Sequence, residues 1–251
     1  MCTPDKPVIM LNNIKIIVLL LPLMMAALSV RAGSATIIEM TSNNWFPYAY
    51  SDNGKHKGSA YEIAKAVMER SGLDYSYSTR PFARVYSEGL SKKNYLMICI
   101  GRTPYRENLF KWVGPTTKHN AIKFYAHENS LINAAALSNG GSFSVAVINY
   151  AYSDEYLTSL EHNYKIIRVG TTEQLVKLVL NGRVDLVIMQ ENILKATLHK
   201  LDYPLSSFKE IKPIFLISEY MAFSLQTPDA VVDKVRQSYD KLQREGKIAL
   251  Q

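Results

Sequence analysis

From residue 36 onward the chain alternates short apolar segments with amphipathic segments, and it does so in two successive series. Short apolar runs bounded by turn residues are typical of buried strands, whereas apolar residues spaced three and four apart are typical of helices. Regular alternation of the two predicts an α/β fold with largely parallel sheets. Two such series predict two lobes with a cleft between them.

The first series predicts strands at 36–42, 74–79 and 95–100, and helices at 59–71 and 82–90. Ser59 and Glu62 have the spacing of a capping box, in which each side chain bonds the other's backbone N–H. Gly72 follows the last apolar residue of this helix, so it is expected to end it.

The second series predicts strands at 142–148, 164–170 and 183–189, helices at 154–160, 172–180 and 191–201, and a final charged amphipathic helix at 229–246. Ser153 is expected to be the N-cap of the first of these helices, and Thr171 with Gln174 to form a capping box for the second.

The N-terminus has the pattern of a secretion signal. An apolar run at 16–29 follows Lys15, and small residues at Ala32 and Ala35 suit cleavage by a signal peptidase. The run contains a proline and is short for a membrane span. We therefore expect a signal peptide over 1–35, cleaved near Ala32 or Ala35, and a soluble protein in the periplasm of a Gram-negative bacterium.

Charge and cysteine content limit the classes of ligand and of site chemistry to be expected. The formal net charge of +7 falls to +5 once the three basic and one acidic residues of the signal are removed. The remaining basic residues are scattered, so a nucleic-acid partner is not expected, whereas an acidic small molecule is compatible. Cys99 stands alone in an apolar strand, where a cysteine usually fills the core.

Two arginines follow the apolar strand at 95–100 within the segment 102–115, "RTPYRENLFKWVGP". Ligands of open α/β sheets bind beyond the carboxyl ends of the strands, where loop amides converge. Arg102 and Arg106 therefore predict an anion site facing the cleft. The alternative is a solvated loop whose charges face water.

Five segments in order, "WFPYAY", "GSAYEIAKAV", "RTPYRENLFKWVGP", "VAVINYAYSDEYL" and "GRVDLVIM", resemble the periplasmic solute-binding proteins of the polar amino acid type, extracellular solute-binding protein family 3. The resemblance implies a type II periplasmic binding fold, with two lobes that close on a ligand and two crossovers between them. The expected division is lobe 1 at 36–123 plus 222–251, lobe 2 at 128–216, and crossovers at 124–127 and 217–221.

The resemblance also implies roles for particular residues. Thr103 and Arg106 match the Thr-x-x-Arg whose arginine binds a ligand α-carboxylate, and a guanidinium suits that group because it donates two parallel hydrogen bonds. Trp45 matches an aromatic residue that packs over the ligand, with core packing as the alternative.

Three features depart from the family pattern. The family's aspartate that receives a ligand ammonium aligns with Met189, Gln190 or Glu191 in this chain. The position two residues before the threonine, where the family often has a hydroxyl side chain, is Gly101. The family's loop of small residues is replaced by 149–152, "NYAY". A standard α-amino acid is therefore not assured as the ligand. Arg84 adds charge near the cleft, or lies on a solvated helix face. The predicted ligand-binding residues are Trp45, Tyr48, Arg84, Arg102, Thr103, Arg106, Asn149, Tyr150, Tyr152, Gln190 and Glu191.

The predicted function is a monomeric receptor that closes on a small polar, carboxylate-bearing ligand such as an amino acid and delivers it to an ABC permease. No catalytic set, cofactor motif or metal-ligand spacing is found. Two alternatives remain open: a receptor that signals to a membrane sensor without a transporter, and a dehydratase-like enzyme on the same fold. The enzyme would need a general acid, for which Glu191 and Glu62 are the candidates.

Overall fold

The structure, a computed structural model, describes Met1 and residues 37–139, 141–160 and 164–251. The predicted signal peptide, with its cleavage sites, lies outside the described residues apart from Met1. In the described ranges no helix combines the length and apolar character that a membrane crossing requires. Residues 37–251 form one compact unit.

The first of two five-stranded sheets has the strand order β4-β1-β5-β12-β6. Its strands are β1 (Ile38–Ser42), β4 (Tyr75–Thr79), β5 (Tyr95–Gly101), β6 (Phe110–Val113) and β12 (Glu219–Ser224). Strand β1 runs parallel to β4 and β5, whereas β12 is antiparallel to β5 and β6. The associated helices are α1 (Ser59–Ser71), α2 (Phe82–Ser91) and α7 (Asp229–Arg244). A small hairpin joins β2 (Tyr50–Asp52) and β3 (Lys55–Lys57).

The second sheet has the order β11-β7-β10-β8-β9. Its strands are β7 (Asn120–His127), β8 (Ser144–Ile148), β9 (Lys165–Val169), β10 (Leu186–Gln190) and β11 (Phe208–Ile217). Strand β8 is parallel to β9 and β10, and β7 is antiparallel to β10 and β11. The helices are α3 (Ala134–Ser138), α4 (Tyr152–Ser159), α5 (Thr172–Leu180) and α6 (Glu191–Lys200). Short 3₁₀ helices cover Glu107–Leu109 and Leu205–Ser207.

The chain changes sheet twice, as an α/β fold with two crossovers requires. The first change lies between β6 and β7, because residues 120–127 already pair with β10 and β11. The second change lies at Ser218, between β11 and β12. The extents of the two lobes remain a prediction.

The start of α1 differs from the sequence prediction. The N-cap is Gly58, and Ser59 makes no capping bond. The backbone N–H groups of Ala60 and Tyr61 instead donate to the carbonyl of Tyr48, at 2.9 and 3.2 Å. This contact leaves no room at Gly58, where a Cβ would lie 2.3 Å from the same oxygen. The predicted Ser59–Glu62 capping box is therefore wrong, because a distant carbonyl satisfies these donors.

The two predicted caps of the second series have opposite outcomes. Thr171 and Gln174 form the capping box of α5 with both reciprocal bonds. Ser153 is not an N-cap, since α4 begins one residue earlier at Tyr152, after Ala151. The carboxylate of Asp154 instead accepts the backbone N–H of Tyr150 at 3.0 Å, which holds the segment before the helix.

Candidate ligand-binding site

A small cavity of about 20 Å³ lies where elements of both sheets meet. Its volume corresponds to one water-sized group. The first sheet and its connections contribute Asn43, Trp45, Phe82, Cys99, Gly101, Arg106 and Glu219, and the second contributes Ile148, Ala151 and Tyr152. The cavity thus lies beyond the carboxyl ends of β5 and β8, the edge where ligands of α/β sheets bind.

Arg106 is the charged residue at the centre of this region, and it is fully buried. Its backbone N–H donates to the carbonyl of Thr103 at 3.0 Å and approaches the Thr103 hydroxyl at 3.3 Å, so the turn after β5 determines where the side chain starts. The guanidinium donates from Nη1 to the carbonyl of Gly101 at 3.2 Å and from Nη2 to that of Tyr150 at 2.9 Å. Arg106 therefore faces the cavity and not bulk water.

The carboxylate partner of Arg106 comes from the second sheet's side of the molecule. Oε1 of Glu155, in the first turn of α4, lies 2.9 Å from both Nε and Nη2 of Arg106. Burial raises the pKa of Glu155 above its ordinary value, and the nearby Arg106 and the hydroxyl of Tyr86 oppose that rise. The ion pair joins the two halves of the protein.

Aromatic rings cover the guanidinium. The centroids of Tyr86 and Phe82 lie 4.9 and 5.8 Å from its central carbon. Tyr150 stacks on Tyr86, with a centroid distance of 6.3 Å. Tyr150 has a left-handed φ of 63°, an unusual conformation for a bulky residue. This backbone places its carbonyl against Arg106, and water is excluded around the charge.

A second carboxylate, Glu219, enters the cavity from the first residue of β12 and is 2% exposed. Its backbone N–H donates to the Thr117 hydroxyl at 2.9 Å. Nε2 of Gln190 donates to its Oε1 at 3.2 Å. Burial raises the pKa of Glu219 to about 7, against the lowering effects of Arg106 and of the Gln190 hydrogen bond.

Gln190 links Glu219 to Tyr48 in a buried chain of hydrogen bonds. The Tyr48 hydroxyl donates to Oε1 of Gln190 at 3.1 Å, and it accepts from Asn120 at 3.1 Å and from Asn192. Burial raises the pKa of Tyr48 to about 12. The chain connects residues around both crossovers.

The structure distinguishes the three positions considered for an ammonium receptor. Met189 is buried and apolar, and Gln190 points its polar group at Glu219. Glu191 begins α6 and pairs with Lys123 at 3.1 Å and Lys195 at 2.5 Å. It does not line the small cavity.

Other predicted ligand-binding residues line either the small cavity or a larger groove beside it. Trp45 and Tyr152 line the small cavity and are both buried. An open groove of about 1090 Å³ lies beside it, and the predicted residues that line it are Arg102, Thr103, Asn149, Tyr150 and Tyr152.

Arg84 and Arg102 are held by surface partners. Arg84, whose side chain is 64% exposed, donates to Glu88 at 2.9 Å. Arg102 pairs with Glu107 and lies over the rings of Trp112 and Tyr220, at 5.5 and 5.1 Å from their centroids. Neither side chain lines the small cavity.

Gly101 has a packing role that accounts for its departure from the family pattern. A Cβ at this position would lie 2.5 Å from Cδ1 of Ile217 and 3.0 Å from Cδ1 of Tyr152. Ile217 and Tyr152 therefore occupy the space that a side chain at this position would need.

Sequence reasoning missed Glu155 and Glu219. A signal existed for Glu219, because it is a lone carboxylate at the start of the otherwise largely apolar strand "EYMAFS". Glu155 looks like an ordinary acidic residue in the first turn of a helix, a common position for Glu. Nothing local distinguishes it from a solvated one.

Comparison with known proteins identifies the fold. The model of the bacterial extracellular solute-binding proteins, family 3, matches residues 37–250. An ancestral arginine-binding protein bound to arginine superposes with a TM-score of 0.72 at 16% identity, covering 85% of this chain and 95% of its own. The arginine-, lysine-, histidine-binding protein ArtJ of Geobacillus stearothermophilus gives 0.70 at 22% identity, covering 84% and 91%.

A histidine kinase sensor domain with similarity to periplasmic binding proteins gives a TM-score of 0.74 at 16% identity, covering 84% of this chain and 92% of its own. No curated protein sequence matches the chain. These likenesses confirm the predicted two-lobed periplasmic binding fold.

Proposed function

Because the chain belongs to the bacterial extracellular solute-binding proteins of family 3, we propose that it is a periplasmic receptor for a small carboxylate-bearing ligand, such as an amino acid, that serves an ABC permease. The ligand lies between the two halves of the protein, with its carboxylate on Arg106. The solved relatives named above as binding proteins for arginine, lysine or histidine support a ligand of this class.

The observation that carries the proposal is that buried Arg106 already holds a carboxylate from the opposite half. Glu155 Oε1 contacts two guanidinium nitrogens at 2.9 Å. Charge-assisted bonds of this kind are strong in a dry site, so the position is suited to a carboxylate. A ligand carboxylate would make the same contacts.

Ligand binding is then an exchange of one carboxylate for another. The cavity of about 20 Å³ is too small for an amino acid while Glu155 is in place. Entry therefore requires the Glu155 side chain to leave Arg106, and the groove lined by Thr103 and Glu155 leads to this position. Closure of the two halves on the ligand restores a neutralised guanidinium.

A thermal-shift screen of amino acids and small organic acids, followed by calorimetric titration of the hits, tests the proposal. Removing one partner of a desolvated charge pair costs about 2–5 kcal/mol. Arg106→Ala and the charge-preserving Arg106→Lys should therefore bind a carboxylate ligand at least about tenfold more weakly than the parent.

Arg84→Ala is the matched control, because it removes the same side chain from an exposed position and should leave affinity unchanged. Circular dichroism establishes that each variant is folded. Parent-like affinity in folded Arg106→Lys and Arg106→Ala, or a ligand without an acidic group, would contradict the proposal.

A signalling receptor is the second candidate, supported by the similarity to a histidine kinase sensor domain. Both functions use the same ligand site. Affinity purification from the native membrane separates them, since a permease with its ATPase supports import and a sensor kinase supports signalling.

We propose binding without turnover. Of the two candidate general acids, Glu62 is exposed on α1 and Glu191 pairs with lysines outside the cavity. Family 3 consists of binding proteins. Sustained conversion of any ligand by the purified parent would contradict this part of the proposal.

A further inference from the structure

The charges around the small cavity do not balance. Arg106 is neutralised by Glu155. Glu219 is buried beside them, and within the described ranges no lysine, arginine or histidine forms an ion pair with it; Gln190 is its side-chain donor. The cavity therefore contains one carboxyl group without a cationic partner, an arrangement that buried charges normally avoid.

Glu219 lines the cavity, and its two carboxyl oxygens have different surroundings. Oε1 is occupied by Gln190, whereas Oε2 lies on the side of Gly101, 3.5 Å from the place a Cβ would take there. The surrounding cavity wall includes the aromatic residues Trp45, Phe82 and Tyr152. A carboxylate within aromatic walls is suited to a small cation, because ring faces attract positive charge.

The size of the cavity also suits a small cation. The cavity has room for one water-sized group, which an ammonium group matches and a guanidinium does not. The buried indole nitrogen of Trp45 has no hydrogen-bond partner in the part of the chain that the structure describes, so no described protein acceptor occupies this wall.

We propose that Glu219 receives an ammonium group of the ligand, so that the ligand is a primary amine or an amino acid whose amine enters this cavity. The proposal rests on the proposed function only in placing the site between the two halves. Gln190 takes part by orienting the carboxylate, and its position at the end of β10 then needs no acidic residue.

The groups that face Glu219 favour a cation in this place. They are Arg106, Tyr48, Tyr152 and the thiol of Cys99, and burial raises the pKa values of the last three, so they remain uncharged near neutral pH. Arg106 is the one cation among them, and Glu155 holds it. An incoming ammonium would therefore be the direct counter-ion of Glu219.

The test uses methylammonium chloride as the probe, because it carries the ammonium group and nothing else. The chain has two tryptophans, so ¹H–¹⁵N spectra give two indole signals, and Trp45 lies in the cavity wall while Trp112 does not. Methylammonium should shift the Trp45 signal of the parent in a saturable manner. Sodium acetate at equal ionic strength should leave it in place.

Glu219→Gln keeps the shape and the Gln190 contact but removes the charge, and it should bind methylammonium at least tenfold more weakly. Glu69→Gln is the matched control, since it makes the same change on the exposed face of α1 and should behave as the parent. No saturable shift of Trp45 in the parent, or an equal shift in Glu219→Gln, would overturn the inference.

Failure of this inference is distinguishable from failure of the proposed function. If amino acids bind through Arg106 while methylammonium does not discriminate Glu219→Gln, the carboxylate site stands and the ammonium site is wrong. If methylammonium binding depends on Glu219 while no carboxylate ligand depends on Arg106, the ammonium site stands and the proposed carboxylate site is wrong.

Discussion

If Arg106 binds the ligand carboxylate as proposed, Glu155 both stabilises the protein and competes with the ligand. The pair is buried, with exposures of 1% and 18% for the two side chains. Removing one partner of such a pair leaves a buried charge uncompensated, which costs about 3–5 kcal/mol. The same removal frees the guanidinium for a ligand carboxylate, since the internal competitor is gone.

We therefore expect Glu155→Gln to change stability and affinity in opposite directions. Its free energy of unfolding without ligand should fall by a few kcal/mol, measured by urea denaturation. Its affinity for a carboxylate ligand should rise about tenfold, because a charge-assisted bond of about 1.5–3 kcal/mol no longer has to be broken.

Glu107→Gln provides the comparison, because Glu107 pairs with Arg102 at the surface and is 45% exposed. Surface pairs contribute about 0–1 kcal/mol, so both quantities should remain near the parent values. Weaker ligand binding by Glu155→Gln would show that Glu155 contacts the ligand and does not compete with it.

At the scale of elements, two helix N-termini show when a cap can be predicted from neighbouring residues and when it cannot. The N-terminus of α5 is capped by residues three positions apart, Thr171 and Gln174. The N-terminus of α1 is capped by the carbonyl of Tyr48, which approaches Gly58 so closely that only glycine fits. The first cap is therefore readable from sequence, and the second depends on a contact made by folding.

This difference predicts the outcome of two alanine substitutions. Thr171→Ala should lower the free energy of unfolding by about 1 kcal/mol, the usual cost of losing an N-cap side chain. Ser59→Ala should cost little, because the Ser59 hydroxyl has no hydrogen-bond partner among the described residues. Urea denaturation of both variants measures the effects, and a larger loss for Ser59→Ala would contradict the assignment of Gly58 as the cap.

At the scale of the whole molecule, polar contacts between the two sheets are concentrated around the cavity. Glu219 of β12 meets Gln190 of β10, and Gln190 meets Tyr48 from the first sheet's side. Because these groups are buried, their protonation affects the stability of the entire unit.

Glu219 should make the protein less stable as pH rises through neutrality in the absence of ligand. Its pKa is about 7 in the folded protein against an ordinary 4.5, so the folded state binds more protons than the unfolded state between these values. The stabilisation from this group is present below about pH 4.5 and lost as pH rises through about 7. A shift of this size corresponds to about 3 kcal/mol.

Urea denaturation of the parent and Glu219→Gln between about pH 4.5 and pH 8 measures this loss. The parent should lose about 3 kcal/mol relative to the variant across the range, because glutamine cannot ionise. Parallel stability curves for the two proteins would contradict the raised pKa of Glu219.

The sequence by itself determined the structural features that depend on residues close together in the chain. Apolar periodicity located three strands of each sheet and the six longer helices, because burial of one face imposes that pattern locally. It did not locate β6, β7, β11, β12 or α3. The capping box at Thr171 and the helix end at Gly72 were equally accessible. The position of Arg106 after a buried strand predicted an anion site, and this stays a prediction; in the structure the carboxylate against Arg106 is that of Glu155.

Tertiary structure alone decided which charges meet. Glu155 lies 49 residues from Arg106, and Gln190 lies 29 residues from Glu219. Packing brings these groups together, and the energy of a charge depends on its burial and its partner, neither of which is encoded by residues beside it in the chain. The same reason separates Arg84, Arg102 and Arg106: three similar guanidinium groups are distinguished only by where folding leaves them.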